Sequence, residues 1–361
     1  MVQQIADAGE SDGHVQNPNP SPLGLVVGNY CHDVLFRDSE PMAKSLGGAA
    51  SFISNVLDPF FLPIPSLSLH FVSKAGSDFA YPSLVHRHPP IVSPSSPTTL
   101  FHAHLCSADA GARTLRRVSA CDPIAPTEIP DCRFHFGVAA AVAGEISPET
   151  LSKMSDLCRV LLVDAQGLIR KFDPADGSVA LVPLSETEFA PLLPRVSFLK
   201  ASAEEAPFLD LAEARKACCV IVTDGGEGCR VWWRDGEAKV APFPATEVDP
   251  TGAGDSFLGG FVVGLASGLA VPDAALLGNF FGSLTVGQIG IPKFDPTMLQ
   301  NVKKELERRT RHAAPCWRNT AVNFQKSDMH EEFHAFLSEA AKHHMYCSTN
   351  HIDDQDNNIH K

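Results

Sequence analysis

From Leu23 to about Arg308, short runs rich in β-branched residues alternate with stretches of helical periodicity. That rhythm is the signature of an α/β fold around a largely parallel sheet. Strands are expected at 25–29, 68–72, 160–163, 196–199 and 219–223, and helices at 48–57, 148–157, 204–216, 253–268 and 272–289. Asn29, Asp33, Gly76, Asp78, Asp164, Lys200, Thr223 and Gly225 all fall at or just past the C-terminal end of an expected strand. Ligands of open parallel sheets bind along that edge, so one long cleft is marked before any motif is considered.

Two segments break the rhythm. Residues 33–40 and 98–120 alternate apolar and polar side chains, as in Thr99-Leu100-Phe101-His102-Ala103-His104, which predicts half-buried antiparallel strands. A small sheet projecting as a lid accounts for both. Residues 82–97 read as a Pro/Ser-rich loop, 1–21 as a disordered leader, and 309–361 as a peripheral tail without a sustained core pattern. The expected organisation is one α/β domain over 22–308, flanked by those two segments.

The charge balance of −13 disfavours binding to nucleic acid or anionic membranes. The N-terminal stretch lacks the basic and apolar regions of a signal peptide, and the apolar run 257–271 is too short to span a bilayer. None of the ten cysteines forms a CxxC pair, and most sit in apolar runs such as Ala217-Cys218-Cys219-Val220. They read as small buried hydrophobes in a reducing compartment, so a soluble, cytoplasmic protein is expected.

The chemistry is concentrated in Asp249-Pro250-Thr251-Gly252-Ala253-Gly254-Asp255-Ser256-Phe257, which runs directly into a helical pattern. Glycines 252 and 254 let the backbone turn tightly and approach a ligand. The free N–H groups of a helix start make an anion site, so Gly252, Ala253 and Gly254 can hold phosphate oxygens. Asp255 stands in the first turn, where an ionised carboxylate can take a proton from an attacking alcohol.

This nonapeptide resembles the second signature of the PfkB, or ribokinase-like, carbohydrate kinases, and further family features occur in order. They are Gly47-Gly48 before a helix, Gly76-Ser77-Asp78, and Val222-Thr223-Asp224-Gly225-Gly226-Glu227-Gly228. The strings Gly28–Val34, Leu46–Asn55, Gln166–Arg170 and Leu277–Ser283 resemble the inositol-kinase branch of that family. The resemblance covers residues 23–308 and implies a ribokinase-like fold with a β lid and transfer of the ATP γ-phosphoryl group to a polyol, with myo-inositol the expected acceptor.

It also implies roles. Asp255 would be the base and Gly252, Ala253 and Gly254 the anion hole; Ser202, Thr223, Gly225, Gly228, Thr251 and Asn279 would line the nucleotide. Asn29, Asp33, Gly47 and Gly48 would meet the acceptor, and Arg170, from its place after Asp164 at the cleft edge, is a further candidate for a substrate hydroxyl or a phosphate. Mg²⁺ is expected with its water shell held by Glu205, and a monovalent cation near Asp249–Thr251 is compatible with the resemblance. Two departures stand out: Ser202 replaces the amide of the family's Asn-x-x-Glu, and Ser51 and Phe52 stand where its substrate-binding Asn is usual.

Other signals carry less. His330-Glu331-Glu332-Phe333-His334 is a literal HExxH, but no apolar core is expected around it. His102, His104 and Cys106 share one strand face and could bind a metal, although substrate contact by the histidines is the stronger reading. The chain has neither a GxxxxGK[ST] loop nor a GxGxxG after its first strand, which argues against P-loop kinases and dinucleotide enzymes. The alternatives are another sugar or nucleoside kinase, such as a fructokinase or adenosine kinase, and an inactive scaffold on the same fold. Monomer and homodimer are equally compatible with the sequence.

Overall fold

The apolar run Gly24–Val27 (β1) is buried at every position, which requires cover on both faces of the sheet it enters. The computed structural model describes residues 23–62, 68–105, 113–311 and 322–356. The expected leader and Cys106 lie outside them. Strand β1 occupies an eight-stranded sheet with Leu69–Val72 (β4), Phe134–Ala139 (β7), Cys158–Asp164 (β8), Phe198–Ser202 (β9), Cys219–Thr223 (β10), Cys229–Trp233 (β11) and Gly236–Val240 (β12). Its order is β12-β11-β10-β9-β8-β7-β1-β4, parallel throughout except for the β10–β11 and β11–β12 pairs.

Alternation along β1 shows how the layers form. Leu25 and Val27 enter one core with Leu151 and Met154 of Pro148–Leu157 (α2) and Ala214 of Leu211–Ala217 (α3). Val26 enters the other with Ala49–Phe61 (α1), Ala253–Ser267 (α4) and Val271–Val286 (α5). Helices α4 and α5 are buried nearly all round, which explains why 257–271 is so apolar without being a membrane span. Among the described residues no helix is long and apolar enough to cross a membrane.

The lid is a separate four-stranded sheet of Cys31–Arg37 (β2), Glu40–Gly47 (β3), Thr99–Leu105 (β5) and Arg113–Ser119 (β6), ordered β3-β2-β5-β6. It is larger than expected. Strand β3 is an exposed edge with Pro41 inside it and carries only a weak apolar alternation. Its central β2–β5 pair is parallel rather than antiparallel, because the two strands arrive from distant parts of the chain.

Two further expectations change. The helix expected over 204–216 is a 3₁₀ turn at Ala206–Phe208 followed by α3. Pro207 supplies no amide hydrogen there, and Asp210 in a left-handed conformation (φ 48°) caps a fresh start at Leu211, its side chain accepting from Glu213 N. The stretch after Arg308 is not peripheral throughout. Pro296–Arg309 (α6) is followed by His330–Asp356 (α7), whose Phe333 and Leu337 are fully buried. Apolar residues at 333, 337 and 341 make a stripe too narrow to stand out in so polar a segment.

Candidate functional site

The turn before α4 is built to bring backbone close to a ligand. Gly252 sits at φ +77° as the N-cap of α4, a region costly for any side chain, and a methyl group there would meet the Phe52 ring at 2.1 Å. Asp249 folds back on this turn, its Oδ1 accepting from Thr251 N at 3.0 Å and from Thr251 Oγ1 at 2.5 Å. Ala253 N donates to Pro250 O at 3.3 Å and Ser256 N to Gly252 O at 2.8 Å, so the N–H groups of Gly254 and Asp255 precede the first intrahelical bond of α4.

Asp255 follows immediately, and its Oδ1 is buried without a hydrogen-bond partner. Burial pushes its carboxyl up to about 7; the Asp164 carboxylate adds to the effect, while Lys200 and Arg170 oppose it. These groups form one cluster. Lys200 Nζ lies 3.0 Å from Asp164 Oδ2, and Arg170 Nη2 lies 3.6 Å from Glu205 Oε1. Burial alone would push Lys200 down, but the carboxylates of Asp164, Glu205 and Asp255 more than reverse this, so it stays a cation. Lys200 also lies behind the turn: a methyl group on Gly254 would come within 2.6 Å of Nζ.

Two cavities flank the turn. The first, about 200 Å³, is lined by Ala253 and Gly254 together with Thr223, Gly225, Gly228, Phe243, Asn279 and Ser283. Asn279 donates from Nδ2 to Ala241 O at 2.8 Å, holding the segment that leaves β12. Two residues expected here are elsewhere. Thr251 lines the second cavity, and Ser202 pairs with Thr223 in the sheet while its Oγ accepts from Glu205 N at 3.2 Å. Glu205 Oε2 in turn accepts from Ser202 N at 2.9 Å.

The second cavity lies under the lid, between Asp33, Leu35, Phe101, Ala103 and Leu115 on one side and Asp249, Thr251 and Ile289 on the other. Gly47 is adjacent: a methyl group on it would fall 2.0 Å from Asp33 Oδ2. Gly48, at φ +86°, turns the chain into α1 against Asn29 O. Asn29 is fully buried; its Oδ1 accepts from Lys74 N at 2.8 Å, and its Nδ2 has no partner.

Two groups, Glu145 bonded to Asn29 and Arg117 in the field of Glu145, escaped the sequence reading. Glu145, 2% exposed, accepts from the N–H groups of Asn29, Val142 and Ala143. It lies just past β7, a strand missing from the expected set, so the strand-end rule had nothing to point to. Arg117 comes from β6, stacks 3.8 Å over Phe172 and donates to Ala143 O. Asp78 has a structural task, accepting from Thr98 N and Thr98 Oγ1, both at 2.8 Å, where β5 begins.

The histidine readings are corrected. Phe101 and Ala103 face the cavity, so His102 and His104 point to the opposite face of the lid, where both rings lie against Phe36. Among the described residues no group of three or more His, Cys, Asp or Glu could hold a metal ion. The HExxH histidines are engaged in packing: His330 Nδ1 pairs with Asp273 Oδ1, and His334 Nε2 lies 3.1 Å from Pro242 O.

Known proteins resemble this chain in sequence and in fold. Residues 142–298 match the pfkB family of carbohydrate kinases. The chain is 54% identical over 334 residues to an inositol 3-kinase of Zea mays, covering 89% of this chain and 87% of that one. It is 55% identical over 327 residues to an inositol 3-kinase of Oryza sativa subsp. japonica, covering 88% and 82%. Among solved structures, a pyrophosphate-dependent ribokinase-family kinase complexed with a pyrophosphate analog and myo-inositol superposes with a TM-score of 0.61. It shares 16% identity, over 79% of this chain and all of that one.

Proposed function

Because the chain belongs to the pfkB family of carbohydrate kinases, we propose that it is an inositol 3-kinase, moving the ATP γ-phosphoryl group onto a hydroxyl of myo-inositol. The observation that carries the mechanism is the position of one loop between two cavities. Ala253 and Gly254 line one, Asp249 and Thr251 the other, and Asp255 with its unpartnered Oδ1 comes next in the chain.

On this reading Asp255 Oδ1 accepts the proton of the attacking hydroxyl, and the N–H groups of the 252–254 turn stabilise charge spreading over the phosphoryl oxygens. Thr223, Gly225, Gly228 and Asn279 line the ATP site. Asn29, Asp33, Gly47, Gly48 and Arg170 meet the acceptor, with Asn29 Nδ2 a buried donor awaiting an oxygen. Arg170, paired with Glu205, stands among the charges that set the basicity of Asp255. The second cavity offers the carboxylates of Asp33 and Asp249, the hydroxyls of Ser45 and Thr251, and apolar lid residues, which are groups able to meet hydroxyls.

Phosphoryl transfer calls for a divalent cation that neutralises the donor phosphates, with Mg²⁺ the expected one. Such an ion would ride on the phosphates and meet Glu205 through its water shell. A cytoplasmic setting agrees with the free, mostly buried cysteines 31, 121, 132, 158, 218, 219 and 229.

The test is a screen of purified protein with ATP or pyrophosphate as donor and inositol isomers, fructose, ribose or adenosine as acceptor. The product position is read by NMR, with and without EDTA. A higher kcat/KM for myo-inositol, a 3-phosphate product and loss of turnover in EDTA support the proposal. Preference for fructose or adenosine would replace the acceptor, and no turnover with any pair would favour an inactive scaffold.

A further inference from the structure

The HExxH residues on α7 are used for something other than metal. Phe333 and Leu337 seat the helix in the main core, and buried His330 pairs with buried Asp273 near the start of α5. One turn further along α7, His334 reaches Pro242. A carbonyl oxygen only accepts, so His334 Nε2 carries the hydrogen and donates it to Pro242 O. The His334 ring also lies 4.8 Å from the ring of Phe243, which is itself 5.7 Å from Phe280.

Pro242 and Phe243 form a wall of the first cavity. They lie in an irregular segment with no sheet partner after β12, so their position depends on side-chain ties. Asn279 holds Ala241 O from α5, and His334 holds Pro242 O and the Phe243 ring from α7. We propose that His334 is a positioning residue for the phosphoryl donor, so that α7, beyond the residues matched to the family, fixes the shape of the donor pocket. The inference rests on assigning that cavity to the donor, as above.

The test uses the full chain with His334→Leu, which keeps bulk but loses the donor, and His334→Gln, whose amide can replace it. ATP affinity is measured by calorimetry without acceptor, and KM for both substrates by initial rates. His334→Leu should weaken ATP about fivefold, the scale of one lost buried hydrogen bond, with acceptor KM unchanged and most of the loss restored in His334→Gln. A parallel variant, Ser283→Trp, fills the cavity itself and should raise donor KM. If Ser283→Trp weakens ATP but His334→Leu does not, or if His334→Leu shifts both KM values together, the role of His334 is overturned and the donor site stands. If Ser283→Trp leaves ATP affinity unchanged, the donor site is wrong and the inference falls with it.

Discussion

Lys200 Nζ and Asp164 Oδ2 stand 3.0 Å apart, on residues paired across adjacent parallel strands, behind the turn that delivers Asp255. The pair places one cation and one anion in the field of the same carboxylate, with opposite effects on it. Catalytic basicity is thereby set by residues that need not touch a substrate.

The acid limb of kcat/KM should report Asp255, whose carboxyl is pushed up to about 7 by burial. Replacing Lys200 with Met removes a cation and should move that limb to higher pH. Asp164→Asn removes an anion and should move it to lower pH. Rate profiles from pH 5 to 9 check this, and shifts in the same direction for both variants would contradict the electrostatic account.

Asp255→Asn should lose about 10²–10⁴ in turnover while still binding ATP. The same variant should gain stability. With a folded pKa of about 7 against an ordinary 3.8, the folded state holds a proton that the unfolded chain releases between those values. Wild-type stability therefore falls as pH rises through that window, and an amide escapes the loss. Thermal unfolding should show a larger advantage of Asp255→Asn at pH 8 than at pH 5.

At Gly47 an added methyl group would strike Asp33 Oδ2 at 2.0 Å. Gly47→Ala should displace that carboxylate and raise acceptor KM ~10-fold or more, since small misplacements in a binding site are costly. Donor KM should hardly change. Equal effects on both substrates would move Gly47 out of the acceptor site.

Gly252→Ala forces an L-residue to φ +77° and a methyl group into the Phe52 ring. The backbone term alone costs about 1–2 kcal/mol, before Phe52 moves. A lowered Tm should accompany loss of turnover. Gly254→Ala is different, because its methyl group meets the end of a flexible lysine. It should spare stability and act mainly on the charge of the Lys200 cluster.

Much of the main sheet was legible, since β1, β4, β8, β9 and β10 are short apolar runs ending in polar residues. Asp164 and Lys200 were visible by the same rule. Glu145 was not, because Phe134-His135-Phe136-Gly137 reads less cleanly as a strand, so no strand end pointed to it. The family resemblance puts Thr251 on the donor, yet Asp249 draws it to the lid side. Arg117 depends on lid register, which a local pattern cannot supply when the partner strand is distant. In α7 the polar face dominates the composition, and only three-dimensional neighbours show that its narrow apolar stripe is core.

The parallel pairing of Cys31 with Thr99 carries a consequence for how the protein is made. When β2 and β3 leave the ribosome they can join as a hairpin, but the other edge of β2 must wait for a partner 68 positions later in the chain. Contacts of such sequence separation close late, because loop entropy is lost before they reward it. The lid over the acceptor side thus stays incomplete until that later segment has been made. Until then a nascent chain carries an open strand edge, the kind of surface on which chaperones act.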